Sequence, residues 1–136
     1  MNGQNAITTF RKDAKVEPTW VSDCGTVKLW CADCLDVLPT LGKVDAVVTD
    51  PPYGIDAGNM SFGKWRTSQM EKGNWDTKPV NMDWVGVGES AIVWGGNYFR
   101  LPPSRAFLVW HKGAGFKGRD FAECEQAWCS FDGNAR

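Results

Sequence analysis

An acid, two prolines and an aromatic residue follow directly on an apolar run in the stretch DAVVTDPPYGI, residues 45–55. Proline fixes φ and lacks an N–H, so Pro51 and Pro52 make a stiff segment that offers carbonyl oxygens and no donors. The Asp50 carboxylate and the Pro51 carbonyl then form a rigid pair of acceptors beside the ring of Tyr53. Such a group suits a flat ring that carries an amino group, because the two acceptors take its N–H bonds while Tyr53 stacks on the ring.

Two acceptors on an amino nitrogen change the chemistry of that nitrogen. Drawing both protons toward oxygen moves the nitrogen toward sp³ geometry, and its lone pair, normally delocalised into the ring, then points at an electrophile. The catalytic gain from such an arrangement comes from positioning and electrostatics. The same four residues are also compatible with a simple turn, in which Asp50 caps the backbone and Tyr53 packs against its surroundings.

The elements that precede Asp50 follow an α/β pattern. TWVSDCGTVKLWCAD, residues 19–33, predicts a β-hairpin around a turn at Asp23-Cys24-Gly25. DCLDVLPTL, residues 33–41, has leucines at 35, 38 and 41 and predicts a short helix that Asp33 or Cys34 opens and Gly42 ends. VDAVVTD, residues 44–50, predicts a strand buried on both faces. Ligands of open α/β sheets bind beyond the carboxyl ends of the strands, which is where Asp50 stands.

Three further strands are predicted downstream. SAIVWGGNYF (90–99) indicates a second buried strand stopped by two glycines, and RAFLVWHK (105–112) and ECEQAWCSF (123–131) indicate a hairpin with GAGFKGRDFA between its strands. NMDWVGVGE (81–89) is a weak helix candidate. Residues 54–80 show no clean period, and a loop of this length is usually functional or mobile. A G-x-G-x-x-G match at 113–118 lacks the helix that a dinucleotide site needs and is interpreted as a hairpin loop.

Length and composition favour one globular domain. The chain has 136 residues, of which 43% are hydrophobic, enough for a core. We expect a flexible tail over residues 1–18 and a single domain over 19–136. No apolar run reaches the ~18–20 residues of a membrane span, and the polar start lacks a signal peptide, so a cytoplasmic protein without a membrane partner is expected.

Charge and cysteine content indicate which kinds of partner and metal ion the chain could bind. The net charge is −1, but residues 54–119 carry nine lysines and arginines against five acids, a modest cationic zone that suits phosphates. The five cysteines are interpreted as free thiols. Cys31-x-x-Cys34 is half of a zinc-site spacing, but the other cysteine pair is more widely spaced and the sequence has one histidine, His111. No metal is therefore predicted, and a zinc-stabilised interaction module remains an alternative.

The stretch CADCLDVLPTLGKVDAVVTDPPYGI, residues 31–55, resembles the opening of DNA amino-methyltransferases that use S-adenosylmethionine, in particular small phage and prophage DNA adenine methylases. The resemblance continues in AIVWGGNYF, LPPSRAFLVWHKG and DFAECEQAWCSFDGNAR and covers roughly residues 19–136 in order. It implies a Rossmann-like sheet, S-adenosylmethionine as cofactor, DNA as partner and a target base flipped out of the duplex.

The resemblance also implies roles for individual residues. In that family Asp50 and Pro51 would hold the target amino group and Tyr53 would stack on the flipped base, so the catalytic set is Asp50, Pro51, Pro52 and Tyr53. Asp33, in ADC where relatives usually show GDC, would lie beside the adenosine of the cofactor, with Asp50 also at the cofactor. The residues implied at the substrate are Tyr53, Asn97 and Tyr98.

One expected feature of the family is missing from the sequence. Members with this arrangement carry a glycine-rich cofactor motif, similar to FxGxG, after a later strand, and residues 120–136 do not resemble it. We therefore expect a partial sheet, the catalytic half with a C-terminal β-hairpin, which self-associates or pairs with a chain that supplies the cofactor half. The expected activity is adenine-N6 methylation; the alternatives are cytosine-N4 methylation and an inactive fragment that binds DNA or a partner chain.

Overall fold

The computed structural model describes residues 16–60, 73–113 and 122–133. Most of the predicted tail, the middle of the 54–80 loop and most of the G-x-G-x-x-G loop lie outside these ranges. The described part contains one α-helix, α1 (Cys34–Leu41), and six strands. The strands are β1 (Trp20–Val21), β2 (Lys28–Leu29), β3 (Val44–Thr49), β4 (Gly88–Trp94), β5 (Phe107–His111) and β6 (Cys124–Cys129).

The strands form two sheets. β1 and β2 pair antiparallel as the predicted hairpin. The other four strands form one mixed sheet in the order β3-β4-β6-β5, in which β3 and β4 are parallel and β6 runs against both of its neighbours. Cross-strand partners include Val48 with Ile92 and Leu108 with Ala127. The predicted α/β class and the C-terminal β-hairpin are therefore confirmed at this level.

Helix α1 begins and ends where its sequence signals predict. The carboxylate Oδ1 of Asp33, the N-cap, accepts a hydrogen bond from the amide of Leu35 at 2.9 Å, which satisfies one of the free N–H groups of the first turn. Gly42 is the C-cap, and Val37 is the buried residue of the helix. No helix among the described residues is long and apolar enough to cross a membrane.

The core lies between β4 and the segment that leads into it. Val93 is fully buried and Ala91 nearly so, and they pack with Met82, Trp84 and Val85. The weak helix candidate is a 3₁₀ helix over Asp83–Val87. Its two valines and its glycine are poor α-helix formers, so a short, tight turn held by packing replaces a regular helix. The burial predicted for the second strand is confirmed at Ala91 and Val93.

Strand β3 differs from its prediction. An apolar run of this kind was expected to be buried on both faces, yet none of its six residues is fully buried and the side chain of Val48 is 68% exposed. The physical reason is its position, because β3 is the end strand of the described sheet. Burial of such a strand needs cover on both faces and a neighbour on each side. β5, the other end strand, is exposed along its whole length.

Candidate functional site

Strand directions bring four chain segments to one edge of the sheet. β3 and β4 are parallel, so Asp50, which follows β3, and Gly95, which follows β4, leave the sheet at the same edge. β6 is antiparallel to β4 and therefore starts at this edge, and β5 ends beside that start, where His111 pairs with Cys124. The amide of Gly95 donates to the carbonyl of Gln126 at 2.8 Å, which ties the two central strands together there. The edge that the sequence predicted for the site is a meeting point of strand ends.

A cleft of about 950 Å³ opens at this edge. Its size falls within the usual range of small-molecule sites, roughly 300–1,000 Å³. The predicted residues Asp50, Pro51, Pro52 and Tyr53 line one side, and Asn97 and Tyr98 line it as well. The remaining walls come from the loop after Tyr53 and from the β5–β6 hairpin: Ile55, Ala57, Met60, Trp75, Asp76, Gly95, Val109, Lys112, Ala122, Cys124, Glu125 and Gln126.

Tyr53 and Asp50 are hydrogen-bonded to each other. The Tyr53 hydroxyl donates to Oδ1 of the exposed Asp50 carboxylate at 2.5 Å, while Pro51 is buried beneath them. Burial raises the pKa of the Tyr53 phenol above its ordinary value of 10.0, and the hydrogen bond to Asp50 and the negative charge of Asp50 raise it further. The phenol is therefore held in its neutral, donating form, and one Asp50 oxygen is engaged within the protein.

Aromatic side chains and Gly95 surround the ring of Tyr53. The ring stacks on that of Tyr98 with centroids 5.1 Å apart and an interplanar angle of 13°, and Phe99 meets it edge-on at 6.2 Å. Gly95 lies directly beside the ring, since a Cβ there would stand 2.2 Å from Cε1 of Tyr53. Gly95 also has φ +64, a left-handed conformation that favours glycine. Glycine at this position therefore lets the ring pack on the backbone.

This geometry combines both interpretations of the Asp-Pro-Pro-Tyr segment. Tyr53 packs and bonds within the protein, as the turn interpretation expects, while Asp50, Pro51 and Tyr53 also face a cleft, as the binding interpretation expects. The ring that stacks on Tyr53 here is Tyr98. An amino group can still bond to Asp50, because a carboxylate has about four lone-pair sites and the Tyr53 hydroxyl uses one of them. A flat ligand that stacks on Tyr53 must use a face that Tyr98 leaves open or take the place of Tyr98.

Asp33 is not brought to the cleft. Its carboxylate caps α1 through the amide of Leu35, and it is not among the residues that line the cleft. The structure therefore gives Asp33 a helix-capping contact and does not place it with residues 50–53 at the cleft.

Several lining residues were not predicted from the sequence. Asp76 and Trp75 come from the 54–80 loop, where the pair Trp-Asp was the available signal, a large aromatic beside an acid in an otherwise polar stretch. Lys112 and Glu125 come from the hairpin and form an ion pair. The ammonium of Lys112 also lies 5.8 Å from the ring centroid of Trp110, which in turn meets Trp94 edge-on.

The charged groups of the cleft are mostly acidic. Among the lining residues that the structure describes, the acids Asp50, Asp76 and Glu125 stand against one cation, Lys112, which is paired with Glu125. An acidic cleft favours ligands that donate hydrogen bonds or carry positive charge, and it disfavours phosphate. Groups that donate hydrogen bonds or carry positive charge therefore suit the described lining of this cleft better than phosphates do.

Residues 16–60, 73–113 and 122–133 contain no group of three or more His, Cys, Asp or Glu side chains that could hold a metal ion. Cys24, Cys31, Cys34 and Cys124 are exposed thiols, and Cys129 is a buried one. Among the described residues, no geometry supports the zinc-module alternative.

Comparison of the chain with protein families, with curated proteins and with solved structures found no match in any of the three. The functional argument for this chain therefore depends on its residues and on the geometry of its cleft.

Proposed function

We propose that the chain carries the catalytic segment of a DNA methyltransferase that acts on the exocyclic N6 amino group of adenine. The observation that carries this proposal is the cleft itself, where the Asp50 carboxylate, the Pro51 residue and an aromatic ring lie together at the carboxyl ends of two parallel strands. Carboxylate and carbonyl acceptors beside an aromatic face match a flat ring that carries an amino group.

In the proposed reaction, the Asp50 carboxylate and the Pro51 carbonyl accept the two N–H bonds of the amino group. The nitrogen lone pair forms the new N–CH₃ bond as the S–CH₃ bond breaks, and the bonding electrons remain on sulfur. One proton leaves the nitrogen through Asp50 to water. S-adenosylmethionine would supply the methyl group on a sulfonium, a cation that suits the acidic wall of the cleft. The chain's own contribution is orientation and charge.

The aromatic cluster supports the proposed base binding. Tyr53 and Tyr98 both line the cleft, and the stacking of a base on an aromatic side chain contributes about 1–3 kcal/mol. An enzyme cannot reach the amino group of a base that is stacked inside a duplex, so the target must be flipped out of the stack. The acids of the cleft then face the base, and the phosphates stay outside the cleft. The excess of lysine and arginine in the sequence of residues 54–119 favours phosphate binding by the chain.

The two alternatives remain distinguishable. Cytosine-N4 methylation uses the same acceptors, because the N4 amino group of cytosine has the same donors as the N6 amino group of adenine. An inactive fragment that binds DNA or a partner chain is supported by a different observation, namely that Asp33 is not among the residues that line the cleft. A Rossmann-like sheet and a cytoplasmic location belong to the same proposal.

A single-turnover methylation assay tests the proposed function. The full chain is incubated with labelled S-adenosylmethionine and mixed-sequence duplex DNA, and the digested nucleosides are separated. We expect label in N6-methyladenine, in amounts limited by weak cofactor binding. Label in N4-methylcytosine supports the first alternative. DNA binding in the absence of any methyl transfer, even at millimolar cofactor and after co-expression with candidate partner chains, supports the second.

The exposed strand edge supports a partner of this chain. The outer edge of β3 is unpaired within the described sheet and carries Val48 at 68% exposure, and unpaired edges with apolar side chains tend to pair with other chains. We propose that a second copy, or a complementing chain that supplies the cofactor half, covers this edge.

Light scattering on Val48→Lys tests the proposed association, because a lysine on an exposed edge opposes strand pairing. We expect the unsubstituted chain to be at least dimeric and the variant to shift toward monomer. Val27→Lys, also at an exposed valine but in the β1–β2 hairpin, is the matched control and leaves the mass unchanged. A monomeric parent chain would leave only the complementing chain as occupant.

A further inference from the structure

Asp76 is a buried acid that lies next to the catalytic segment. Only 1% of its surface is exposed, and it lies in the loop that runs from residue 54 to residue 80. Its Oδ1 accepts a hydrogen bond from the amide of Gly54 at 2.6 Å, and its Oδ2 accepts from the amides of Ala57 at 2.9 Å and Ile55 at 3.3 Å. One carboxylate therefore gathers three backbone donors from the residues that directly follow Tyr53.

The main chain of Asp76 also bonds to the segment that follows Tyr53. The amide of Asp56 donates to the main-chain carbonyl of Asp76 at 2.8 Å, so four donors of the segment 54–57 bond to one residue. Gly54 and Asp56 have positive φ values of 76° and 59°, a backbone that turns successive N–H groups toward a common point. Such concave arrays of amides bind anions, and here the anion is the side chain of Asp76.

A buried carboxylate such as that of Asp76 requires hydrogen-bond donors from the protein. A carboxylate removed from water is strongly destabilised unless hydrogen-bond donors replace its hydration. The amides of Gly54, Ile55 and Ala57 are such replacements, and hydrogen bonds to a charged acceptor are stronger than those between neutral groups. The carboxylate of Asp76 and the backbone of residues 54–57 therefore hold each other in one arrangement.

The catalytic segment adjoins this arrangement. Tyr53 precedes Gly54 in the chain, so the position of the Tyr53 ring depends on the backbone that Asp76 holds. At its other end, Tyr53 is fixed by the hydrogen bond from its hydroxyl to Asp50. We propose that Asp76 is a positioning residue, which sets the Tyr53 ring and the Asp50 carboxylate against the cleft by holding the backbone of residues 54–57. The role of Asp76 in catalysis rests on the proposed function. Its role in holding the backbone rests only on the hydrogen bonds described above.

The ionisation of Tyr53 reports this positioning without substrate or cofactor. The chain has two tyrosines, so Tyr98→Phe leaves Tyr53 as the single phenol whose absorbance changes with pH. Burial raises the Tyr53 pKa, and Asp50, Glu125 and Tyr98 raise it further through the hydrogen bond and through charge. Because the folded chain holds this proton more tightly than the unfolded chain, the resulting stability is complete below a pH of 10.0 and is lost as the pH rises through the folded pKa.

The test is Asp76→Asn in the Tyr98→Phe background, titrated at alkaline pH while far-ultraviolet circular dichroism verifies the fold. The amide group places a donor where the backbone donors converge, so we expect the Tyr53 pKa to fall toward 10.0. Asp23→Asn, in the exposed β1–β2 turn, is the matched control and leaves the Tyr53 pKa at its raised value. A folded Asp76→Asn chain that keeps the raised pKa contradicts the positioning role, even if its overall stability is lower.

Amide hydrogen exchange on the unsubstituted chain covers the case in which Asp76→Asn does not fold. We expect the amides of Gly54 and Ala57 to exchange at least ~10-fold more slowly than in an unstructured peptide. Exchange of both at the unstructured rate overturns the inference. Neither measurement involves methyl transfer, so a chain that shows the expected titration but no methylation retains the positioning inference and refutes only the proposed function.

Discussion

We expect Asp50→Ala to lower the single-turnover rate of the proposed methyl transfer by about 10²- to 10³-fold, the usual cost of removing one preorganised hydrogen-bonding partner from a reacting group. The variant deletes one of the two proposed acceptors of the amino group together with a negative charge of the cleft. The fold is expected to survive, because Asp50 is exposed and, within the described part of the chain, its carboxylate accepts one hydrogen bond, from the Tyr53 hydroxyl. A typical hydrogen bond contributes only about 0.5–1.5 kcal/mol to stability, and somewhat more when one partner is charged.

Two further variants make the Asp50 experiment specific. Asp45→Ala removes an exposed acid from β3, the strand that ends just before Asp50, but Asp45 does not line the cleft, and the rate should stay within a factor of two. Tyr53→Phe removes the hydroxyl that bonds Asp50 and keeps the ring, so it separates the loss of the carboxylate from the loss of the hydrogen bond. Methyl transfer at a near-parental rate in Asp50→Ala would sink the proposed chemistry.

The parts of the fold that the sequence predicted are those with local causes. Asp33 and Gly42 mark the ends of α1 because capping needs only the adjacent residues. The β1–β2 hairpin follows from its turn residues in the same way. Strand β3 was located correctly but its burial was not, since exposure depends on what lies beside a strand and not on its own letters.

In the candidate site, too, some residues were predicted from the sequence and others were not. Asp50, Tyr53, Asn97 and Tyr98 were predicted to share one edge, and the parallel pairing of β3 and β4 brings them to one cleft. Asp76 was not predicted, because its hydrogen bonds reach back some twenty residues across a loop with no period. The Tyr53–Tyr98 stack was not predicted either, since it depends on how two loop ends face each other after the strands have paired.

Gly95→Ala destabilises the chain more than any backbone preference explains. At φ +64 an alanine costs about 1–2 kcal/mol in left-handed strain, and its Cβ would stand 2.2 to 2.5 Å from three carbons of the Tyr53 ring. No side chain tolerates such contacts, so the ring must move, and overpacking of this kind adds about 1–3 kcal/mol. A displaced ring also breaks the stack on Tyr98 and the hydrogen bond to Asp50, so we expect the proposed base binding to weaken together with stability.

Gly25→Ala separates the two contributions to this loss. Gly25 has φ +72, close to that of Gly95, but a Cβ there meets nothing within 4 Å, so this variant carries the backbone strain without the clash. Urea denaturation of both variants gives their unfolding free energies, and the difference between them measures the contact with the Tyr53 ring. We expect Gly95→Ala to be less stable than Gly25→Ala by about 1–3 kcal/mol. Equal losses would mean that the Tyr53 ring yields freely and is not held against the backbone of the cleft, which would remove the rigid stacking surface that the proposed base binding requires.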